Sequence, residues 1–212
     1  MVNLKSVRLK EWLVTSHFSI HRSRRNSPPQ LKFYLWGVLF MNDLKVNKML
    51  VFDMDGTIAN FYQVPNWLED LKNYNPRPYE VAEPLYNMVL LKNILLTFNL
   101  LGWKVAVTSW LSKESTKEFD KMVRTAKKEW LKNQDFPYDE IHLVKYGTNK
   151  SRCTKNKADY QILVDDNADV RARWSLGDTI NAQENIIDKL QDLLLKELEE
   201  NNMEVLFSQI NS

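Results

Sequence analysis

Four short apolar runs constrain the fold more than any other feature: "MLVFD" (49 to 53), "WKVAVTS" (103 to 109), "IHLVKY" (141 to 146) and "QILVD" (161 to 165). The first, a short apolar run ending in a charge, predicts a strand covered on both faces of its sheet, and the other three predict further strands of that sheet. The segments between them have helical spacing. Val81, Leu85, Met88, Val89, Leu95 and Phe98 predict a mostly buried helix from Glu80 to Leu101, ended by Gly102. Ser115 and Glu118 form a capping-box pattern, after which Phe119, Met122, Val123, Ala126 and Trp130 repeat at helical intervals. Ile187, Leu190, Leu194 and Leu198 mark a final amphipathic helix. Strands alternating with helices in this order predict an α/β fold, a doubly wound parallel sheet.

A chain of 212 residues suits one domain with at most a small insertion. Residues 59 to 80, "ANFYQVPNWLEDLKNYNPRPYE", leave the first strand and return before the helix. They are aromatic and Pro-rich, and they read as a small cap. Residues 1 to 40 differ from the rest: seven basic residues stand against Glu11 alone, and since the whole chain carries only +2, the remainder is mildly acidic. This leader reads as a basic extension that the fold does not need, because Met41 or Met49 lies just before the first core strand. Its apolar run "FYLWGVLFM" is far shorter than the roughly 20 residues of a membrane span. The single cysteine, Cys153, excludes an internal disulfide and fits a reducing compartment, the cytoplasm.

In parallel sheets, ligands bind beyond the carboxyl ends of the strands. There the first run ends in Asp53 and Asp55, the second in Thr108 and Ser109, the third is followed by Lys150, and the fourth ends in Asp165 and Asp166. Side chains two apart on an extended chain point the same way, so Asp53 and Asp55 can face one centre while Met54 turns into the core. Gly56 and Thr57 let the chain turn sharply and bring backbone N–H groups toward an anion. Four neighbouring carboxylates would repel one another unless a cation sat among them, and oxygen ligands without His or Cys favour Mg²⁺.

The set "DMDGT", a strand ending "VTS", a downstream lysine and "LVDD" resembles the motifs of the haloacid dehalogenase superfamily of phosphatases, in the same order. The resemblance covers residues 49 to 200. Within that superfamily the "TSW" and "ILVDDN" wording is most similar to small 5′(3′)-deoxyribonucleotidase-type phosphatases of bacteria and phages. It implies a Mg²⁺-dependent phosphomonoester hydrolase acting on small phosphorylated substrates such as (deoxy)nucleoside monophosphates. Asp53 would be the nucleophile and Asp55 the general acid and base, with Thr108 and Ser109 on the phosphoryl oxygens. Asp53, the backbone carbonyl of Asp55, Asp165 and Asp166 would hold the metal. Lys150 is preferred as the motif lysine over Lys155 and Lys157, because a short helix can start at the site between it and the last strand.

Phe61 and Trp67 in the cap are candidates to stack on a base, although aromatics near a site are more often core. His142 and Cys153 read as structural. Two other readings use the same residues. A polynucleotide 3′-phosphatase would draw backbone contacts from the basic leader. A non-catalytic phosphate-binding or regulatory protein would keep the fold without turnover. A phospho-aspartate receiver is disfavoured, because receivers carry the acidic pair first and the lysine last.

Overall fold

The structure is a computed structural model that describes residues 46–210, with side chains described to residue 200. The basic extension expected over residues 1 to 40 and the run "FYLWGVLFM" lie outside the described residues. Along the chain come β1 (Lys48–Phe52), a 3₁₀ turn (Phe61–Gln63), α1 (Trp67–Lys72), α2 (Arg77–Val81) and α3 (Met88–Leu100). Then follow β2 (Lys104–Trp110), α4 (Lys117–Asn133), β3 (Glu140–Val144), α5 (Ser151–Thr154) and β4 (Tyr160–Asp165). The chain closes with α6 (Ala168–Ala172), β5 (Thr179–Asn181) and α7 (Ile186–Ile210). The five strands form one all-parallel sheet in the order β3-β2-β1-β4-β5, a Rossmann-like α/β arrangement.

Continuous apolar runs fold into this sheet because both of its faces need covering. Leu50, Phe52, Val105, Val107, Ile162 and Val164 project to one side and meet Leu91, Ile94, Leu95 and Phe98 of α3, Trp130 and Leu131 of α4, and Ile186, Leu190 and Leu194 of α7. Met49, Val51, Ala106 and Leu163 project to the other and are covered by Val170 and Trp174. Truncating a residue such as Phe98, which is fully buried, would cost about 3–5 kcal/mol. Among the described residues no helix is long and apolar enough to cross a membrane.

The helix expected from Glu80 to Leu101 is two helices. Pro84 has no N–H to donate and restricts the residue before it, so α2 stops at Val81 and α3 restarts at Met88, where Asn87 Oδ1 accepts from Leu90 N at 3.1 Å. The break resets the helical phase. Val81, Leu85 and Val89 are therefore exposed (49%, 38% and 47%) rather than buried. The residues between the helices are bound to the turn after β1: Asn60 N donates to Glu83 O (2.7 Å), Leu85 N to Ile58 O (2.9 Å), and Ala59 bridges Pro84. This clasp closes the base of the insertion carrying α1 and α2. The N-cap of α4 is Thr116, whose hydroxyl accepts from Phe119 N at 3.1 Å, and not Ser115 as the capping-box pattern predicted. The adjacent hydroxyls make the two frames equivalent in sequence, and only Thr116 has the extended cap conformation next to a helical N–H. The sequence also hid β5, a three-residue strand pairing Asp165 with Asn181.

From β1 the chain leaves through α3 on one face, and from β4 through α6 on the other. Between neighbouring strands whose connections diverge, a crevice opens at their carboxyl ends.

Candidate active site

Register builds the site. Phe52 pairs with both Val107 and Val164, so the next residues, Asp53, Thr108 and Asp165, fall in one row across β2, β1 and β4. Asp53 N continues the ladder by donating to Val164 O at 2.9 Å. Met54 turns into the main core, 1% exposed. Its carbonyl then accepts from the N–H groups of Thr57, Ile58 and Ala59, closing a tight turn. Gly56 sits in that turn at φ +78°, where a Cβ would lie 2.6 Å from the Tyr62 ring and 2.7 Å from Asp166 Oδ2. No larger residue fits both the conformation and the space. Thr57 is fully buried, and its hydroxyl accepts from Asp166 N (3.1 Å) and donates to Asp166 Oδ1 (3.3 Å). It ties the turn after β1 to the end of β4.

The carboxylates are divided between two buried lysines. Lys150, 2% exposed, donates to Asp165 Oδ2 at 2.7 Å. The same ammonium meets Asp53 Oδ1 at 2.7 Å as an ion pair without hydrogen-bond geometry. Lys155 and Lys157 do not reach the site: both are exposed, and Lys157 points to Glu140 at 3.6 Å. The second cation is Lys127 on α4, 0% exposed, donating to Asp55 Oδ2 (2.5 Å), Ser109 Oγ (2.8 Å) and Trp110 O (2.9 Å). The sequence analysis missed it. Its signal was a lysine on the buried stripe of an amphipathic helix, three and four residues from Trp130 and Val123, where a charge needs a buried partner.

Oxygen atoms of Asp53, Asp165 and Asp166 lie within 4.8 Å of one another. The carboxylate of Asp55 is outside this group, held by Lys127. Burial, and then the charge of Asp53, push Asp165 up to about 7 and Asp166 up to about 6. Asp55 is also raised, chiefly by burial, with Lys127 opposing. For Lys150, burial works against the charged form, but Asp53 and Asp165 outweigh it and its pKa is raised. The ends of β1 and β4 thus hold more negative charge than their lysine balances. Thr108 Oγ1 is buried with no hydrogen-bond partner among the described residues.

The aromatic candidates separate. Phe61 is 3% exposed and its ring is engaged by Tyr79 (centroids 4.6 Å apart), Tyr62 (5.4 Å) and Trp67 (5.5 Å), so it is core, not a base-stacking surface. Trp67 is half-buried against the same cluster. Both brace Tyr62, which is 49% exposed and lies against Gly56. Burial first, and then Asp55, Asp166 and Asp53, push its hydroxyl above the usual range. Tyr146, also 49% exposed, packs at a tilt against Trp110, whose ring lies 5.2 Å from the Lys150 ammonium. His142 contacts Glu140 at 3.2 Å, and burial pushes the half-buried Cys153 thiol up.

Compared with protein-family models and with curated proteins, the chain finds no match.

Proposed function

We propose that this chain is a phosphomonoester hydrolase of the haloacid dehalogenase type, acting from the cytoplasm on small phosphorylated substrates, with (deoxy)nucleoside monophosphates as the favoured class. One observation carries the reading: two carboxylates a single residue apart are held by two different buried lysines. Asp53 meets Lys150 in the acidic row, whereas Asp55 meets Lys127 of α4 and has a raised pKa. Two carboxylates held by separate cations on separate elements can take separate roles, one as nucleophile and one as acid.

The reaction then balances as follows. An Asp53 oxygen attacks phosphorus, the bond to the leaving oxygen breaks, and that oxygen takes the proton of the Asp55 carboxyl, giving an alcohol and an aspartyl phosphate. Water next attacks phosphorus while Asp55 takes its proton. The bond to Asp53 breaks and inorganic phosphate leaves. Thr108 Oγ1, buried and without another hydrogen-bond partner among the described residues, donates to a phosphoryl oxygen, and Lys150 offsets the charge gathered around Asp53.

The clustered oxygens of Asp53, Asp165 and Asp166 suit a hard cation such as Mg²⁺, and burial together with the charge of Asp53 raises Asp165 and Asp166. When bound, that ion would neutralise charge on the phosphoryl group. Tyr62 and Tyr146 offer exposed rings at the site, which favours an aromatic base on the substrate.

The test is phosphate release from deoxynucleoside and ribonucleoside monophosphates, sugar phosphates and a 3′-phosphorylated oligonucleotide, with Mg²⁺ or EDTA. Mg²⁺-dependent release is expected, with Asp53→Asn lowering kcat/KM at least about 10³-fold. No release from any substrate would overturn the proposal and favour a phosphate-binding role.

A further inference from the structure

We propose that Lys127 is a positioning residue for this reaction: it holds Asp55 Oδ2 against the end of β2, so that the other oxygen of the Asp55 carboxyl group carries the proton that goes to the leaving oxygen. The inference rests on the phosphatase reading above and extends it to a residue on a different element.

An ammonium has three N–H donors. Those of Lys127 meet three oxygens, Asp55 Oδ2 at 2.5 Å, Ser109 Oγ at 2.8 Å and Trp110 O at 2.9 Å, while the Tyr79 ring lies 4.8 Å away. No donor is left for a phosphoryl oxygen, so Lys127 is not a substrate ligand. What it touches are one residue of the turn after β1 and two at the end of β2. Its own helix is anchored by Phe119, Val123 and Ala126 in one cluster and by Trp130 and Leu131 in another. The contact therefore transmits the rigidity of α4 to a carboxylate on a turn. It also explains why a lysine occupies a fully buried position on the apolar stripe, where a charge is costly unless paired.

A lock of this kind has a chemical signature that packing alone does not. In the first half-reaction the bond from phosphorus to the leaving oxygen breaks, and that oxygen accepts a proton from Asp55. An alkoxide needs the proton, whereas p-nitrophenolate leaves as a stable anion. Loss of Lys127 should therefore weigh on poor leaving groups. The quantity to compare is kcat/KM, which reports the steps through formation of the aspartyl phosphate.

The experiment compares Lys127→Met with wild type on the best alkyl phosphomonoester of the panel above and on p-nitrophenyl phosphate. The expected result is a loss of about 100-fold on the alkyl ester and under about 10-fold on p-nitrophenyl phosphate, with Lys127→Arg recovering part of the alkyl activity. Should Lys127→Met fail to fold, Lys127→Gln keeps a donor for Asp55 and is put through the same comparison. Equal losses on both substrates, or none, in an active wild-type background would overturn the positioning role alone. A wild type that releases no phosphate from either would overturn the phosphatase reading and this inference with it.

Discussion

At the amino-terminal edge of the sheet, Lys48 donates to both oxygens of Glu197, at 2.7 and 3.0 Å, and Trp103 Nε1 donates to one of them at 3.1 Å. At the carboxyl edge, Asp53, Asp55, Asp165 and Asp166 share Lys127 and Lys150. Both clusters remove charge from water, yet in the second four carboxylates share two ammonium groups. An unbalanced cluster raises the pKa values of its own members and is tolerated only where something else gains from it. That contrast separates a structural ion pair from a candidate catalytic one more sharply than burial does, because Glu197 and Asp53 are almost equally buried, 7% and 8% exposed.

Three experiments would break or sharpen the contrast. The largest effect is expected from Lys150→Ala, which strips Asp53 and Asp165 of their shared cation: phosphate release should fall about 10²–10³-fold, while Lys157→Ala stays within about twofold of wild type. The reverse outcome would move the motif role to Lys157. Glu197→Gln should do the opposite, lowering stability by about 1–3 kcal/mol in urea titrations and leaving kcat/KM within about twofold. A matching loss of rate would mean that the two edges are coupled.

The smallest effect is on thermal stability against pH. Asp165 and Asp166 are raised from 3.8 to about 7 and about 6, first by burial, so the folded protein binds protons that the unfolded chain has already released. Their contribution to stability is greatest near pH 4 and falls as pH rises to 7. In EDTA, Tm should therefore be lower at pH 8 than at pH 5.5, and Mg²⁺ should restore it at pH 8. A Tm that rises with pH in EDTA would mean that the acidic row is better compensated than its geometry indicates.

The residues of the acidic row were legible because each sits at the end of an apolar run, and register in a parallel sheet aligns such ends automatically. Lys127 and the clasp at Ala59 and Pro84 were less so. A helical lysine reads as solvated unless its neighbours' burial is known, and Pro84 was hidden inside an otherwise regular helical spacing. Phe61 and Tyr62 show the same limit, since adjacent aromatics in one loop ended as core and as exposed surface.

By itself, the sequence determined the parallel α/β sheet and the placing of Asp53, Thr108 and Asp165 toward the carboxyl ends of its strands, because alternation and strand ends are local properties that pairing merely propagates. Tertiary structure alone decided which lysine meets which carboxylate. Lys127 is 72 residues from Asp55 along the chain, and Lys150 is 15 from Asp165. Such partners are chosen by how α4 and α5 pack against the sheet, and no spacing within a single segment records that choice.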